Sequence, residues 1–186
     1  MSKVAPGRLA LVQDFINTAD LESGEDAFAT TDGLEAWLAE RGLLGGQNPP
    51  PECNGQELET AVALREALRA LCLANNGETL GPEARRALAA AAGSLHLHLT
   101  ARFGGDGAIE LEPDEEGVRR GLGEILTIVY SALHDGSWPR LKACASDTCQ
   151  WAFYDESRNH SGHWCSMSSC GNRLKTARYR ERRSLG

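Results

Sequence analysis

The chain has 186 residues, 41% of them hydrophobic and 24% charged, with a formal net charge of −7. These are the proportions of an ordinary soluble globular protein, and no apolar run approaches the roughly 20 residues that cross a bilayer. Met1–Pro6 contains no apolar signal core, so the expectation is a cytoplasmic protein whose thiols stay reduced.

Charge divides unevenly along the chain. Between Arg140 and Gly186 nine Lys/Arg face four Asp/Glu, a net of +5; the preceding residues carry ten against 22, a net of −12. An acidic body followed by a basic tail suggests that the tail meets a polyanion.

In chain order, Leu9, Leu11, Val12, Phe15 and Ile16 predict a helix within 8–19. Leu34, Trp37 and Leu38 predict a second over 32–41, stopped by Gly42. GGQNPPP (45–51) reads as a loop. Asn54 with Glu57 forms a capping-box pattern for a third helix, which Asn75, Asn76 and Gly77 end. Pro82 opens a fourth, alanine-rich helix to about Ala92. Leu95, Leu97 and Leu99 then alternate with His96, His98 and Thr100, the period of a half-buried strand. The glycine-rich turn 104–107 and residues 108–111 complete one hairpin. A fifth helix follows from Val118, Leu122, Ile125, Leu126, Val129 and Leu133 and closes at Gly136. The fold class is therefore α+β, with a helix-rich N-terminal domain over residues 1–138 carrying one β-hairpin.

The remaining 139–186 are organised by Cys144, Cys149, Cys165 and Cys170, spaced C-x4-C-x15-C-x4-C. Two close thiol pairs joined by a short excursion suit a tetrahedral zinc site, each pair wrapping one edge of the ion. An iron–sulfur cluster is the lesser alternative. Residues 140–144 and 150–154 look like hairpin arms around the first pair. The second pair precedes a helix expected from about Cys170 to Arg183, a treble-clef-like arrangement. His160 and His163 lie between the pairs, and a four-sulfur shell is expected without them. Cys72 reads as core, and Cys53 has no assigned task. In the terminal helix Lys175, Arg178 and Arg182 form one stripe and Arg173 and Arg180 another. With Arg183 and the loop residue Arg158 they are the candidate nucleic-acid contacts, because guanidinium forks suit phosphate.

The run FYDESRNHSGHWCSMSSCGNRLKTARYRER, with Cys144 and Cys149 before it, resembles the CGNR zinc-finger family, and LALVQDFINTA resembles the ABATE-type domain that precedes such fingers. The resemblance implies that Cys144, Cys149, Cys165 and Cys170 hold one structural zinc. It also implies a bacterial, stress-induced transcription regulator whose finger binds DNA. The family often has two arginines before Trp164; Gly162 and His163 stand there here. Asp155, Ser157, Arg158 and Asn159 fall in a tight loop that hydrogen bonds would brace.

The leading expectation is a DNA-binding regulator, with RNA equally compatible with the charge. A different class, in which the zinc-stapled module is structural or binds an acidic protein partner, is the alternative. A small-molecule effector or protein partner for the N-terminal domain and a dimer both stay open. No enzyme is expected: His96 and His98 alternate on a strand, where histidines usually face water, Asp14 and Asn17 lie in the first helix, His134 reads as a surface residue, and four thiolates leave zinc no open position for water.

Overall fold

The computed structural model describes residues 3–45, 52–105 and 109–172. Helices α1 (Leu9–Ile16), α2 (Thr31–Glu40), α3 (Gly55–Asn75) and α5 (Gly117–Asp135) enclose one core, and α4 (Pro82–Ser94) lies along α3. Their apolar stripes are those of the sequence: Ala61, Leu64, Leu68 and Cys72 on α3, and Val118, Leu122, Ile125 and Val129 on α5, are all buried. Phe15, Phe28 and Trp37 meet edge-on or tilted at its centre, with ring centroids 5.5–5.7 Å apart.

The helix ends are built as their residues dictate. Thr30 Oγ1 accepts the Gly33 amide at 3.1 Å. Asn54 Oδ1 accepts Glu57 N at 3.0 Å while Glu57 Oε2 accepts Asn54 N at 3.0 Å, the reciprocal capping box. Gly136, at φ +79°, ends α5 in the left-handed conformation that glycine adopts without strain.

Two elements differ from the sequence reading. The hairpin β3 (Leu99–Phe103) and β4 (Ile109–Pro113) begins at Leu99 rather than Leu95. Helix α4 continues to Ser94, Leu95 is its buried C-cap, and His96 takes φ +46°. The Leu95–Leu97 alternation thus comes from a helix cap and a connecting segment that both face the core. The body also contains a short ribbon, β1 (Ala19–Asp20) paired antiparallel with β2 (Glu25–Asp26). Nothing in the polar run ADLESGED has a two-residue apolar period, so this ribbon was not legible. Asp20 Oδ1, accepting the amides of Glu22 and Ser23 at 2.8 and 3.2 Å, turns it.

After a 3-10 turn at Trp138–Arg140 comes a third antiparallel pair, β5 (Leu141–Ala143) and β6 (Ala152–Tyr154). Leu141, Ala143 and Ala152 are buried in the same core as the helices. The cysteine-bearing segment is thus packed into the body.

Candidate metal centre

The first cysteine pair sits where β5 gives way to β6. Cys144 N donates to Trp151 O at 3.0 Å, extending the ladder. The knuckle between the strands is closed by Cys149 N and Gln150 N, both donating to Ser146 O, with Gln150 in the left-handed region at φ +46°. The second pair sits on a single wide turn, Met167–Gly171, with Cys165 just before it and Cys170 within it; Gly171 N donates to Ser166 O at 3.0 Å. Ala145 N donating to His163 O ties the two halves together.

All four Sγ atoms lie within 4.8 Å of one another. A tetrahedron with zinc–sulfur bonds of about 2.3 Å has sulfur–sulfur edges of about 3.8 Å. Cys149–Cys165 and Cys165–Cys170 measure 3.7 and 3.8 Å, so the donor set fits one zinc ion. Cys144, Cys149 and Cys170 are buried and Cys165 half-buried, with Trp151 and Trp164 packed around them. Crowding opposes the thiols: hydrogen bonds from Cys149 and then Cys165 push Cys144 towards thiolate, while Cys149 and Cys165 are pushed up, first by the hydrogen bonds that keep their protons shared with Cys144. A dication among the sulfurs is what lets all four ionise together.

The loop joining the pairs is pinned by a buried ion pair. Lys142 Nζ donates to Asp155 Oδ2 at 2.8 Å, with the two side chains 3% and 0% exposed. The same ammonium reaches His160 O and Gly162 O at 2.5 and 3.1 Å. Asp155 also accepts the amides of Ser157 and Gly162 at 3.0 and 2.8 Å. Burial pushes its carboxyl up, but Lys142 and these amides outweigh that and hold it well below the ordinary carboxylate range. A side chain at Gly162 would bring its Cβ to 2.8 Å from Asp155 Oδ1, so the close approach needs glycine.

A second set of polar contacts, which sequence reasoning missed, fastens this module to the helices. Asn17 pairs with Ala152 as a strand would, Oδ1 accepting its amide at 2.7 Å and Nδ2 donating to its carbonyl at 2.9 Å. Asn75 Nδ2 donates to Trp138 O and Leu141 O at 2.9 and 2.8 Å. Asn76 Nδ2 donates to Ala143 O and His163 O at 2.8 and 3.0 Å, and its Oδ1 lies 2.7 Å from His163 Nδ1. Arg69, 2% exposed, donates to Ile16 O, Ala19 O and Gln150 O, satisfying a carbonyl at the end of α1 on the way.

Of the other residues singled out by sequence, Arg158 is exposed in the 155–162 loop. His163 is engaged with Asn76, and His160 contributes its carbonyl to Lys142. His98 contacts Glu115 at 3.1 Å, His96 and Asp14 are exposed, and Asn17 holds β6. Cys72 is fully buried in the core, and the half-buried Cys53 thiol is pushed up to about 11 by burial and by Glu57, Glu35 and Asp32. Arg173, Lys175, Arg178, Arg180, Arg182 and Arg183, with the helix expected to carry them, lie outside the described residues.

Comparison with known families agrees with this geometry. Residues 140–183 match the model of the CGNR zinc finger. Residues 9–145 match the ABATE family model, described as "Putative stress-induced transcription regulator", which spans most of the chain. The chain belongs to the ABATE family. No curated protein matches it. The ABATE match runs through α1 to β5 and takes in Cys144, so the two family segments overlap at β5 and the first zinc-site cysteine just after it. Among the described residues no helix is long and apolar enough to cross a membrane.

Proposed function

We propose that the protein is a DNA-binding transcription regulator in which one structural zinc fixes the take-off point of a basic C-terminal helix. The observation that carries this reading is the four-sulfur cluster: it pins Cys170 and the adjoining Gly171 and Asn172 against a module that is itself packed into the core. The next residue, Arg173, starts a stretch with six Lys/Arg and one acidic residue, Glu181. On this reading the zinc takes no part in chemistry, since four sulfurs fill its shell. The ion sets where the guanidinium groups begin, and those groups bind phosphate. Phosphate contacts position a protein on DNA without reading its sequence, so base contacts would have to come from elsewhere on the same surface.

A mobility-shift titration of the zinc-loaded protein on duplex DNA tests this. Log affinity falls with log salt by about 0.9 per phosphate neutralised. Arg178→Ala/Arg182→Ala therefore weakens binding and lowers that slope by about 2. Chelation of the zinc weakens binding to the same DNA. Affinity unchanged in the double variant removes these residues from the contact.

The packing of β5 and β6 into the body supports a second reading, in which the zinc module is a structural clip and the basic segment docks on an acidic protein partner. Absence of duplex binding at low salt favours that reading. Tighter binding to single-stranded RNA than to duplex DNA would shift the assignment to RNA.

A further inference from the structure

The β3–β4 hairpin sorts its residues completely by face. Its register pairs Leu99 with Pro113, Ala101 with Leu111 and Phe103 with Ile109 on one side, and Thr100 with Glu112 and Arg102 with Glu110 on the other. An apolar sheet face belongs against a core, yet α5 covers only the root of this one. Pro113 is buried and Leu111 half-buried, whereas Leu99, Ile109 and Phe103 are 45%, 62% and 77% exposed. The exposed surface continues along α5 at Tyr130 and Leu133, with the half-buried Leu126 beneath them at i, i+4 and i+7 on one stripe. Leu97, Leu99, Leu111, Leu126, Thr127 and Tyr130 line an open groove of about 400 Å³ between hairpin and helix.

We propose that this face joins two copies of the chain, their β3 strands pairing antiparallel about Ala101 to form a four-stranded sheet. The area is that of a weak, reversible dimer. Phe103 and Tyr130 belong to a class that buries about 150–250 Å² per side chain, and with the exposed parts of Leu99, Ile109 and Leu133 the patch comes to roughly 500 Å² per copy. A standard interface takes about 800 Å² from each partner and weak ones take less, so micromolar association is the strength this patch supports. A contiguous apolar patch of this extent sits at the upper end of what monomers expose.

Charge selects which edge pairs. Antiparallel pairing about Ala101 sets Leu99 opposite Phe103 and Thr100 opposite Arg102 of the second copy, with no like charges facing. The same operation on β4 about Leu111 would set Glu110 directly opposite Glu112, which is unfavourable. β4 is besides the strand that packs on α5. With β3 paired, the overhanging tip of each hairpin lies beside the root of the other, so Phe103 of one copy reaches the groove formed by Leu99 and Tyr130 of the next. The contact is isologous and closed.

Sedimentation of the zinc-loaded full chain from about 1 to 100 μM tests it, a range that brackets micromolar affinity. The result expected is a monomer–dimer equilibrium. Phe103→Glu, at a side chain that touches little of the monomer, weakens association at least about 100-fold, because each dimer loses two anchors. Thr100→Lys, which sets a lysine opposite Arg102 of the second copy, weakens it about tenfold. Unchanged thermal melting of the variants by circular dichroism shows that the fold is kept. A wild-type chain still monomeric at about 100 μM, whether the face is bare or covered by residues 173–186 or by another protein, overturns the proposal. A dimer indifferent to Phe103→Glu overturns it too.

Discussion

Replacing Asp155 by alanine removes the one carboxylate that holds the loop between the two thiol pairs. Three hydrogen bonds disappear, from Lys142 Nζ and from the amides of Ser157 and Gly162. The Lys142 ammonium, 3% exposed, keeps only the His160 and Gly162 carbonyls. Removing one member of a buried, hydrogen-bonded ion pair costs about 3–5 kcal/mol because the other charge is left uncompensated. That is between two and four powers of ten in the folded fraction. With a urea slope of about 2 kcal/mol/M, the midpoint falls by about 2 M in zinc-containing buffer. Cys149 and Cys165 flank this loop, so the lost order also reaches the metal, and chelator competition reports a weaker zinc complex. Arg158→Ala, an exposed change in the same loop, stays within about 0.5 kcal/mol of wild type. A midpoint shift below about 0.5 M for Asp155→Ala, with unchanged zinc affinity, refutes the claim that this carboxylate braces the knuckle.

Two further outcomes are expected. Asn76→Ala takes the side-chain amide from the buried Ala143 O, while His163 O keeps the Ala145 amide, and costs about 1–3 kcal/mol; a loss under about 0.5 kcal/mol in urea melts would show that Asn76 does not anchor the finger. Asp26 forms a two-pronged pair with the buried Arg65 at 2.6 and 2.8 Å; partial burial pushes its carboxyl up, but Arg65 and the Phe28 amide hold it below the ordinary value. A depressed carboxyl stabilises above its unfolded pKa of about 3.9 and loses that contribution as pH falls through the folded value. The stability gap between wild type and Asp26→Asn is therefore full at neutral pH and shrinks below about pH 4, and a gap that widens in acid contradicts the assignment.

How much could be read from the sequence depended on how local the cause was. Helix α5 was legible because Val118, Leu122, Ile125 and Val129 repeat at helical spacing and Gly136 ends them. Helix α3 was legible because Asn54 and Glu57 spell out its cap. The zinc site was legible because thiol pairs with equal spacing leave few other uses. The polar residues that fasten the finger were not. Asn75 and Asn76 read as a helix stop, and nothing nearby shows that they also serve carbonyls on β5 and the turn before it, 63–67 residues further on. Asn17 looks like an ordinary residue after α1, and its partner Ala152 is 135 positions away. Lys142 reads as part of the basic tail, yet it is spent on Asp155 inside the fold. The two residues that stand where the family often has arginines, Gly162 and His163, likewise have local tasks, against Asp155 and Asn76.

The account depends on one metal ion bound by four sulfurs. Zinc quantification combined with X-ray absorption on the purified, reduced protein tests that most directly. One zinc per chain with four sulfurs at about 2.3 Å is the result expected. A shell containing a histidine nitrogen, or a metal-free protein whose residues 140–172 remain folded, would contradict it.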